Sequence, residues 1–324
     1  MQKSLSMNWQ LISPCRTHPT IIPLLDTTKS PQQIMGSIVK DYMASKLELK
    51  PRQIYHVSIM PCYDKKLEAS RQDFYNDIYS SRDVDLVLSS LEIEQIMTER
   101  SIRINSLPYN STMIHSSTTF AKLDQNARLA RTDGSSSGGQ LVWIMRFAVR
   151  QLYQINLSSQ DVENGLNGVT IIPGRNADFT SINYTPPGFS EPTLRFAYAY
   201  GFKNIQNLVR KLKLAQQKAK SSSVPINPPF HFVEVMACPS GCINGGGQLR
   251  DDNASQKLPT KEWIMLAESH YQNKLGQVLD PDNDSVRAML LDWIGNNREK
   301  SNRLLYTAFH AVENNLVSGL SVKW

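Results

Sequence analysis

Two apolar rhythms alternate along this chain. Short apolar runs end in loops rich in glycine, proline or serine, and longer stretches repeat apolar side chains every three or four positions. Ile54-Tyr55-His56-Val57-Ser58-Ile59, Asp83-Val84-Asp85-Leu86-Val87-Leu88, Leu194-Arg195-Phe196-Ala197-Tyr198-Ala199-Tyr200 and Phe230-His231-Phe232-Val233-Glu234-Val235-Met236 read as strands. Ser30-Pro31-Gln32-Gln33 opens a helix from Ile34 to about Leu47, with Ser30 as its cap and Pro31 at the first helical position, where a missing N–H is harmless. Further helices are predicted from about Glu92 to Arg100, from Leu141 to Tyr153, from Ile205 to Lys220, and from Thr260 onward. That last region includes a segment from Pro281 through Trp293 and another around Leu304 to Asn314. Such alternation predicts an α/β architecture with mostly parallel sheets and a helical C-terminal region. Residues Ser101 to Thr132 are polar and irregular and mark a boundary, and no internal repeat is present.

Composition narrows the class without assigning it. The chain has 324 residues, 40% hydrophobic and 20% charged, enough for one large core or two lobes. Its net charge of +6 is modest, and its clearest basic run, Arg210 to Lys220, has apolar residues at helical spacing and no interleaved aromatics. That pattern reads as a solvated helix face, so no nucleic-acid partner is expected. Met1 to Asp26 lacks the basic segment and apolar core of a secretory signal, and nowhere do about 18 apolar residues run uninterrupted. A cytoplasmic location, extending to the nucleus, with no membrane partner is expected. The glycosylation-type patterns at Asn110, Asn156, Asn183 and Asn253 are chance matches in that compartment.

The four cysteines carry the chemistry. Cys62 lies in Met60-Pro61-Cys62-Tyr63-Asp64-Lys65-Lys66-Leu67-Glu68, Cys238 and Cys242 lie in Cys238-Pro239-Ser240-Gly241-Cys242-Ile243-Asn244-Gly245-Gly246-Gly247-Gln248, and Cys15 follows Ser13-Pro14. Few cysteines in a long chain, placed in loops, point to metal or redox chemistry rather than a disulfide scaffold. Both main loops follow the carboxyl ends of predicted strands, where open α/β sheets place ligands. Four thiolates are the number that one 4Fe-4S cubane takes, and such an assembly carries a net negative charge. Lys65 and Lys66 would compensate it, and the amides of Gly245, Gly246 and Gly247, with the Asn244 side chain, would donate to sulfur. Other readings stand beside this one. A lone Cys62 is a small buried hydrophobe, the lysines belong to a solvated loop, and zinc favours close Cys-x-x-Cys pairs. Cys62 as a nucleophile would need His56 or His231 as its base. Glu68 and Glu234 are expected to anchor loops by accepting backbone hydrogen bonds. Gly134-Ser135-Ser136-Ser137-Gly138-Gly139 lacks the Gly-Lys-Ser/Thr ending of a phosphate-binding loop and reads as a flexible turn.

At these cysteine loops the chain resembles the iron-only hydrogenase superfamily. The segments Met60-Pro61-Cys62-x-x-Lys65-Lys66-x-Glu68 and Glu234-x-Met236-Ala237-Cys238-x-x-Gly241-Cys242-x-x-Gly245-Gly246-Gly247-Gln248 are similar to two of its three cluster signatures. Ser30-Pro31-Gln32-Gln33, Asp83-Val84-Asp85 and Tyr200-Gly201 extend the likeness over nearly the whole chain. Tyr63 to Arg71, Tyr306 to Glu313 and the ending Val322-Lys323-Trp324 resemble its eukaryotic branch of cytosolic iron-sulfur assembly factors, also called nuclear prelamin A recognition factor-like proteins. The resemblance implies a two-lobed hydrogenase-like fold: a single domain over 1–324 with an incomplete first lobe 1–130, a second lobe 131–250 and a helical region 251–324. It implies a 4Fe-4S cluster on Cys62, Cys238 and Cys242 and contacts with a cytosolic iron-sulfur targeting complex, with Trp324 as a docking signal. Hydrogenase activity is not expected. The alternatives are a true iron-only hydrogenase and a cluster-free nuclear lamina interaction protein. The family's ferredoxin-like region and its Cys-Pro-Gly-Trp signature have no counterpart here, and Cys15 stands too near Thr17-His18 to fill that register. The expectation is therefore an N-terminally truncated form that binds its cluster weakly, with Cys15 not a full ligand.

Overall fold

The computed structural model describes residues 19–103, 134–221, 227–250, 260–274 and 284–310. Cys15, Trp324 and most of the polar stretch from Ser101 to Thr132 lie outside the described residues.

The first described stretch starts with a 3-10 turn, Pro19–Leu24, and reaches helix α1, Pro31–Ser37. Its cap is the one the sequence predicted: the Ser30 side chain accepts from the Gln33 amide and Pro31 occupies the first turn. The helix widens into a π-helical run, Ile38–Met43, and closes in a short α2, Ala44–Lys46. Strand β1, Val57–Ile59, leads to α3, Asp64–Ala69. A small antiparallel pair follows, β2 at Tyr75–Asn76 and β3 at Ser81–Arg82. Strand β4, Leu86–Leu88, then returns parallel to β1, with Val57 opposite Leu86 and Ile59 opposite Leu88. Helix α4, Ser90–Glu99, begins in a reciprocal cap between Ser89 and Glu92.

The second stretch builds a four-stranded sheet. After α5, Gln140–Tyr153, and α6, Ser159–Asn164, come β5, Val169–Pro173, β6, Phe179–Tyr184, and β7, Leu194–Tyr200. Helix α7, Phe202–Ser221, then carries the chain to β8, Phe232–Met236. The order is β5-β6-β7-β8, antiparallel through β7 and parallel only between β7 and β8. This mixed sheet departs from the mostly parallel arrangement expected. The links at residues 174–178 and 185–193 are shorter than the dozen or so residues a crossover requires, whereas α7 supplies one between β7 and β8.

The alternation of side chains along β7 sorts the core. Leu194, Phe196 and, from β8, Phe232 pack with Leu141, Val142, Met145 and Val149 of α5. Ala197, Ala199, Val233 and Val235 face Ile205, Leu208, Val209 and Leu212 of α7. With helices on both faces, every residue of β8 is buried, and each large apolar side chain so enclosed contributes roughly 1.5–3 kcal/mol. That burial fixes the strand whose end carries Cys238.

Three helices follow: α8, Thr260–Lys274, α9, Asp284–Trp293, and α10, Arg298–Leu305. Trp293, Ile294 and Leu304 form a core with Ile38. The helix expected around Leu304 to Asn314 instead starts at Arg298, capped by Asn297, and ends at Leu305. The chain leaves it extended: Lys29 donates its amide to the Leu305 carbonyl at 2.8 Å, Thr307 donates to Thr27 at 2.8 Å, and Tyr306 bridges Thr28. Pairing with residues 27–29 satisfies backbone groups that a continued helix would have used itself. Residues 311–314 lie outside the described residues. Among the described residues no helix is long and apolar enough to cross a membrane.

Two buried lysines brace the π-helical region against the start of β4. Lys29 Nζ meets Asp83 at 2.8 Å, and Lys40 Nζ meets Asp85 at 2.6 Å, Ser81 Oγ at 3.1 Å and the carbonyls of Pro51 and Ile54. Gly36 allows the approach, because a Cβ there would stand 2.8 Å from the Asp83 carbonyl oxygen. Removing one partner of such a pair leaves the other charge buried and uncompensated. Lys40→Met is therefore expected to lower stability by about 3–5 kcal/mol in urea unfolding, while Lys46→Met, at the exposed pair with Asp292, leaves the midpoint almost unchanged. A wild-type midpoint for Lys40→Met would show that the pair does not brace the fold.

Candidate thiolate centre

Two strand ends deliver the cysteines to one place. Past β1, Met60 still bonds to Leu88 (2.8 Å), then Pro61 turns the chain and Cys62 precedes α3. Past β8, Cys238 begins a turn in which the Gly241 amide donates to the Cys238 carbonyl at 3.1 Å, and a 3-10 turn at Cys242–Asn244 follows. Gly241 is left-handed at φ 84°, and a Cβ there would stand 2.4 Å from Ser137 Cβ, so only glycine fits. The two loops then interlock. Gly247 donates its amide to the Pro61 carbonyl at 3.1 Å and accepts from the Leu91 amide at 3.1 Å. A Cβ on Gly245 would lie 2.0 Å from the Pro61 oxygen.

The result brings Cys62, Cys238 and Cys242 together. The Cys62 and Cys238 thiols share a hydrogen bond, and that bond is the first reason the Cys62 pKa falls, to about 6, helped by the amides of Asp64 and Lys65 against the effect of burial. The same bond and desolvation push Cys238 up. Burial raises Cys242 to about 11, while the Lys65 charge pulls the other way. Cys242 Sγ also sits 3.7 Å from Met236 Sδ. The two thiols titrate as a pair, and the hydrogen bond between them eases loss of the first proton. All three cysteines are free thiols. Among the described residues no three His, Cys, Asp or Glu side chains are placed to hold one metal ion between them. The soft sulfur donor set would suit an iron-sulfur group held by Cys62, Cys238 and Cys242.

The surrounding charges are more fixed than the sequence suggested. Lys65 Nζ is 2.7 Å from Glu68, with 12% and 1% of the two side chains exposed, so this lysine is not a solvated tail. Glu68, expected to accept backbone amides, accepts instead from the side chains of Lys65 and Ser30. The reason is position: Glu68 lies one turn beyond Lys65 on α3 and faces the cap of α1. Gln32 ties the same corner, donating to the Lys65 carbonyl at 3.1 Å and accepting from Ser58 Oγ at 3.2 Å. Lys66 reaches Val87 O at 2.9 Å and Glu92 at 2.7 Å, and its hydrogen bond, with those of Ser89, holds the Glu92 carboxyl down at about 2.

Glu234 is the anchor the sequence expected. Its Oε2 accepts from the Leu141 amide at 2.7 Å, the amides of Gln140 and Gly139 also bond to it, and its Oε1 accepts from the Tyr200 hydroxyl at 2.7 Å. Burial raises its pKa against those bonds. Asn244 donates to the Pro239 carbonyl at 3.1 Å and accepts from Arg250 at 2.5 Å; the Gly245 amide donates to the Cys242 carbonyl at 2.9 Å. These groups close the loop on itself, and Gly246 packs against the Tyr63 ring. His56 Nδ1 is 2.8 Å from the Asp83 carbonyl, and His231 Nδ1 accepts from the Arg195 amide at 3.0 Å, so each of these ring nitrogens is already engaged with backbone. Sequence reasoning missed Ser137, whose Oγ accepts from the Ile243 amide at 3.1 Å, and Gly138, where a Cβ would stand 2.0 Å from Glu234 Oε1. The Gly134–Gly139 stretch, read as a flexible turn, is a buttress of the two-cysteine loop. Its two adjacent glycines were the available signal.

Comparison with known proteins bears on the family and the fold. A family model described as iron only hydrogenase large subunit, C-terminal domain, matches residues 13–246. A Mus musculus protein named cytosolic iron-sulfur assembly component 3 is 40% identical over 313 residues, covering 95% of this chain and 58% of the relative. A Danio rerio protein named cytosolic Fe-S cluster assembly factor narfl is 41% identical over 309 residues, 94% of this chain and 66% of the relative. This chain thus spans 58% of the mouse relative's length. Among solved structures, an apo FeFe-hydrogenase from Chlamydomonas reinhardtii superposes with a TM-score of 0.69 at 23% identity, covering 95% of this chain and 76% of that one. That likeness bears out the hydrogenase-like α/β fold.

The interlock of the loops yields a direct test. Gly245→Ala forces a methyl group into the Pro61 carbonyl, and overpacking of this kind costs about 1–3 kcal/mol. A lowered melting temperature is expected for Gly245→Ala. Gly246→Ala, where a Cβ would lie 3.3 Å from the Tyr63 ring edge, should change it much less. Equal melting temperatures would show that the loops are not locked at Pro61.

Proposed function

The chain belongs to the iron-only hydrogenase large subunit, C-terminal domain family, and from that premise we propose that it is an assembly factor for cytosolic iron-sulfur proteins which holds a 4Fe-4S cluster. The observation that carries this reading is the meeting of the Cys62 and Cys238 thiols, beside Cys242, from loops at two separate strand ends. Those three cysteines would hold the cluster, and the donor set fits it: soft thiols, the Cys62 thiol drawn toward ionisation by its bond to Cys238, in a half-buried corner walled by glycine. When bound, the cluster supplies iron and sulfide for passage to other proteins.

The chain's own residues do the holding. Cys62 gives up its proton more readily than a free thiol does. Lys65 keeps a positive charge near the sulfurs, and its pairing with Glu68 fixes where that charge sits. Glu234 and Ser137 keep the two-cysteine loop from spreading, and the glycines permit its tight path. The names of the mouse and zebrafish relatives support the cytosolic assembly role, and a cytoplasmic location accords with it; the nucleus is proposed as a second site. Contact with a targeting complex is assigned to Trp324, whose large apolar ring suits a partner pocket. We assign no hydrogenase activity to the chain, although its fold is that of hydrogenases. Of the thiol ligands, Cys15 is assigned no full role.

Anaerobic reconstitution followed by iron and sulfide analysis tests the reading. Up to about four of each per chain are expected, with Cys238→Ser and Cys242→Ser losing most of both and Cys15→Ser losing little. Absence of iron and sulfide from the reconstituted wild-type chain would leave a cluster-free interaction protein, and hydrogen turnover would make it an enzyme. Deleting Trp324 should leave iron content unchanged and abolish capture of targeting-complex proteins; unchanged capture would remove the docking role.

A further inference from the structure

Helix α8 packs in an unusual way. It is fifteen residues long and none of them is buried. Its inward stripe, Trp263, Ile264, Ala267, Glu268, Tyr271 and Gln272, is only half-buried, while Met265 and Leu266 are 56% and 48% exposed. An apolar stripe is the ordinary means of fixing a helix to a domain. Polar attachments contribute at both of its ends. Glu268 accepts from the Ser136 amide at 2.9 Å and from Ser136 Oγ at 2.5 Å, and Gln272 donates to Glu268 at 2.9 Å and to the Gly134 carbonyl at 3.3 Å. At the other end the Arg250 guanidinium lies 6.0 Å from the centre of the Trp263 ring and bonds to Asn244.

Position gives the arrangement its meaning. The helix lies against the 3-10 turn Cys242–Asn244, the segment that carries one of the thiols. Behind it is a cavity of about 510 Å³ bounded in part by Ser135, Gly139, Tyr198, Tyr200, Glu268 and Gln272. A helix held by surface hydrogen bonds over a void separates from the body far more readily than one seated in a core. We propose that α8 is an opening cover for the two-cysteine loop, latched to the body by Glu268 at Ser136, and that its release exposes Cys242. The regulatory meaning rests on the reading of Cys242 as a cluster ligand: a closed cover retains the cluster and an open one lets an acceptor protein's thiol reach it. The mechanical claim stands without a cluster.

The experiment uses the full chain without metal, under reducing conditions, so that the two claims fail separately. Each cysteine is followed by mass spectrometry during labelling with a small maleimide at constant pH. Glu268→Gln removes the charge that strengthens both Ser136 bonds and is expected to speed labelling of Cys242 about tenfold, an effect of about 1.4 kcal/mol, while Cys62 on the opposing loop keeps its rate. Ser136→Ala, which keeps the amide and loses only the hydroxyl, gives a smaller rise in the same direction and serves if the first variant folds poorly. Unchanged Cys242 labelling in the variants overturns the cover, and so does an equal acceleration of Cys62, which would mean general loosening.

Discussion

The arrangement at the thiols depends on one buried carboxylate. Glu234 sits in the middle of a strand whose every residue is enclosed, and its two oxygens receive the first amides of α5 and the Tyr200 hydroxyl. Those amides are the unsatisfied donors of a helix start, so the carboxylate and the helix dipole each remove the other's cost of burial. Because the same strand runs on into Cys238, the helix cannot tilt without moving the thiol. The apolar layers on both sides of the sheet keep water from competing for the carboxylate.

The second lock is steric rather than electrostatic. Gly245 and Gly247 let the two-cysteine loop press on Pro61 closely enough for a backbone hydrogen bond. The approach sets the distance between Cys62 and its partners with no side chain intervening. The two locks act on different ends of the loop: Glu234 fixes where it leaves the sheet, and Pro61 fixes where it meets the other half of the centre. A site held at both ends keeps its thiols in place before any ligand arrives, which lowers the ordering cost of binding.

Much of this was legible in the residues. The cap at Ser30-Pro31 and the strands leading to Cys62 and Cys238 follow from local pattern, because each is a relation between near neighbours in the chain, whereas Glu234 was expected as an anchor but finds its donor at Leu141, 93 positions away. The strands β5 and β6 were not foreseen, since both are partly exposed and β5 ends in a proline. The end of α10 at Leu305 depends on backbone pairing with residues 27–29, more than 270 positions away, which no local pattern encodes. Ser136 and Glu268 are 132 positions apart, and the switch of Glu68 from backbone to side-chain donors depends on how α1 and α3 meet.

The π-helical run at Ile38–Met43 reaches beyond its own turn. Its wider winding places Asp41 against the Trp293 indole and Tyr42 against Asp292, while the preceding cap holds Ser30 toward Glu68. A π-helical run fits one more residue than an α-helix does into nearly the same rotation, so deleting one position here would redirect Asp41 and Tyr42 while the flanking turns stay close to their phase. The extra residue is therefore what aims Asp41 and Tyr42 at the C-terminal helices, and its loss would loosen those contacts while the Ser30 cap and the corner that holds Lys65 stay in place.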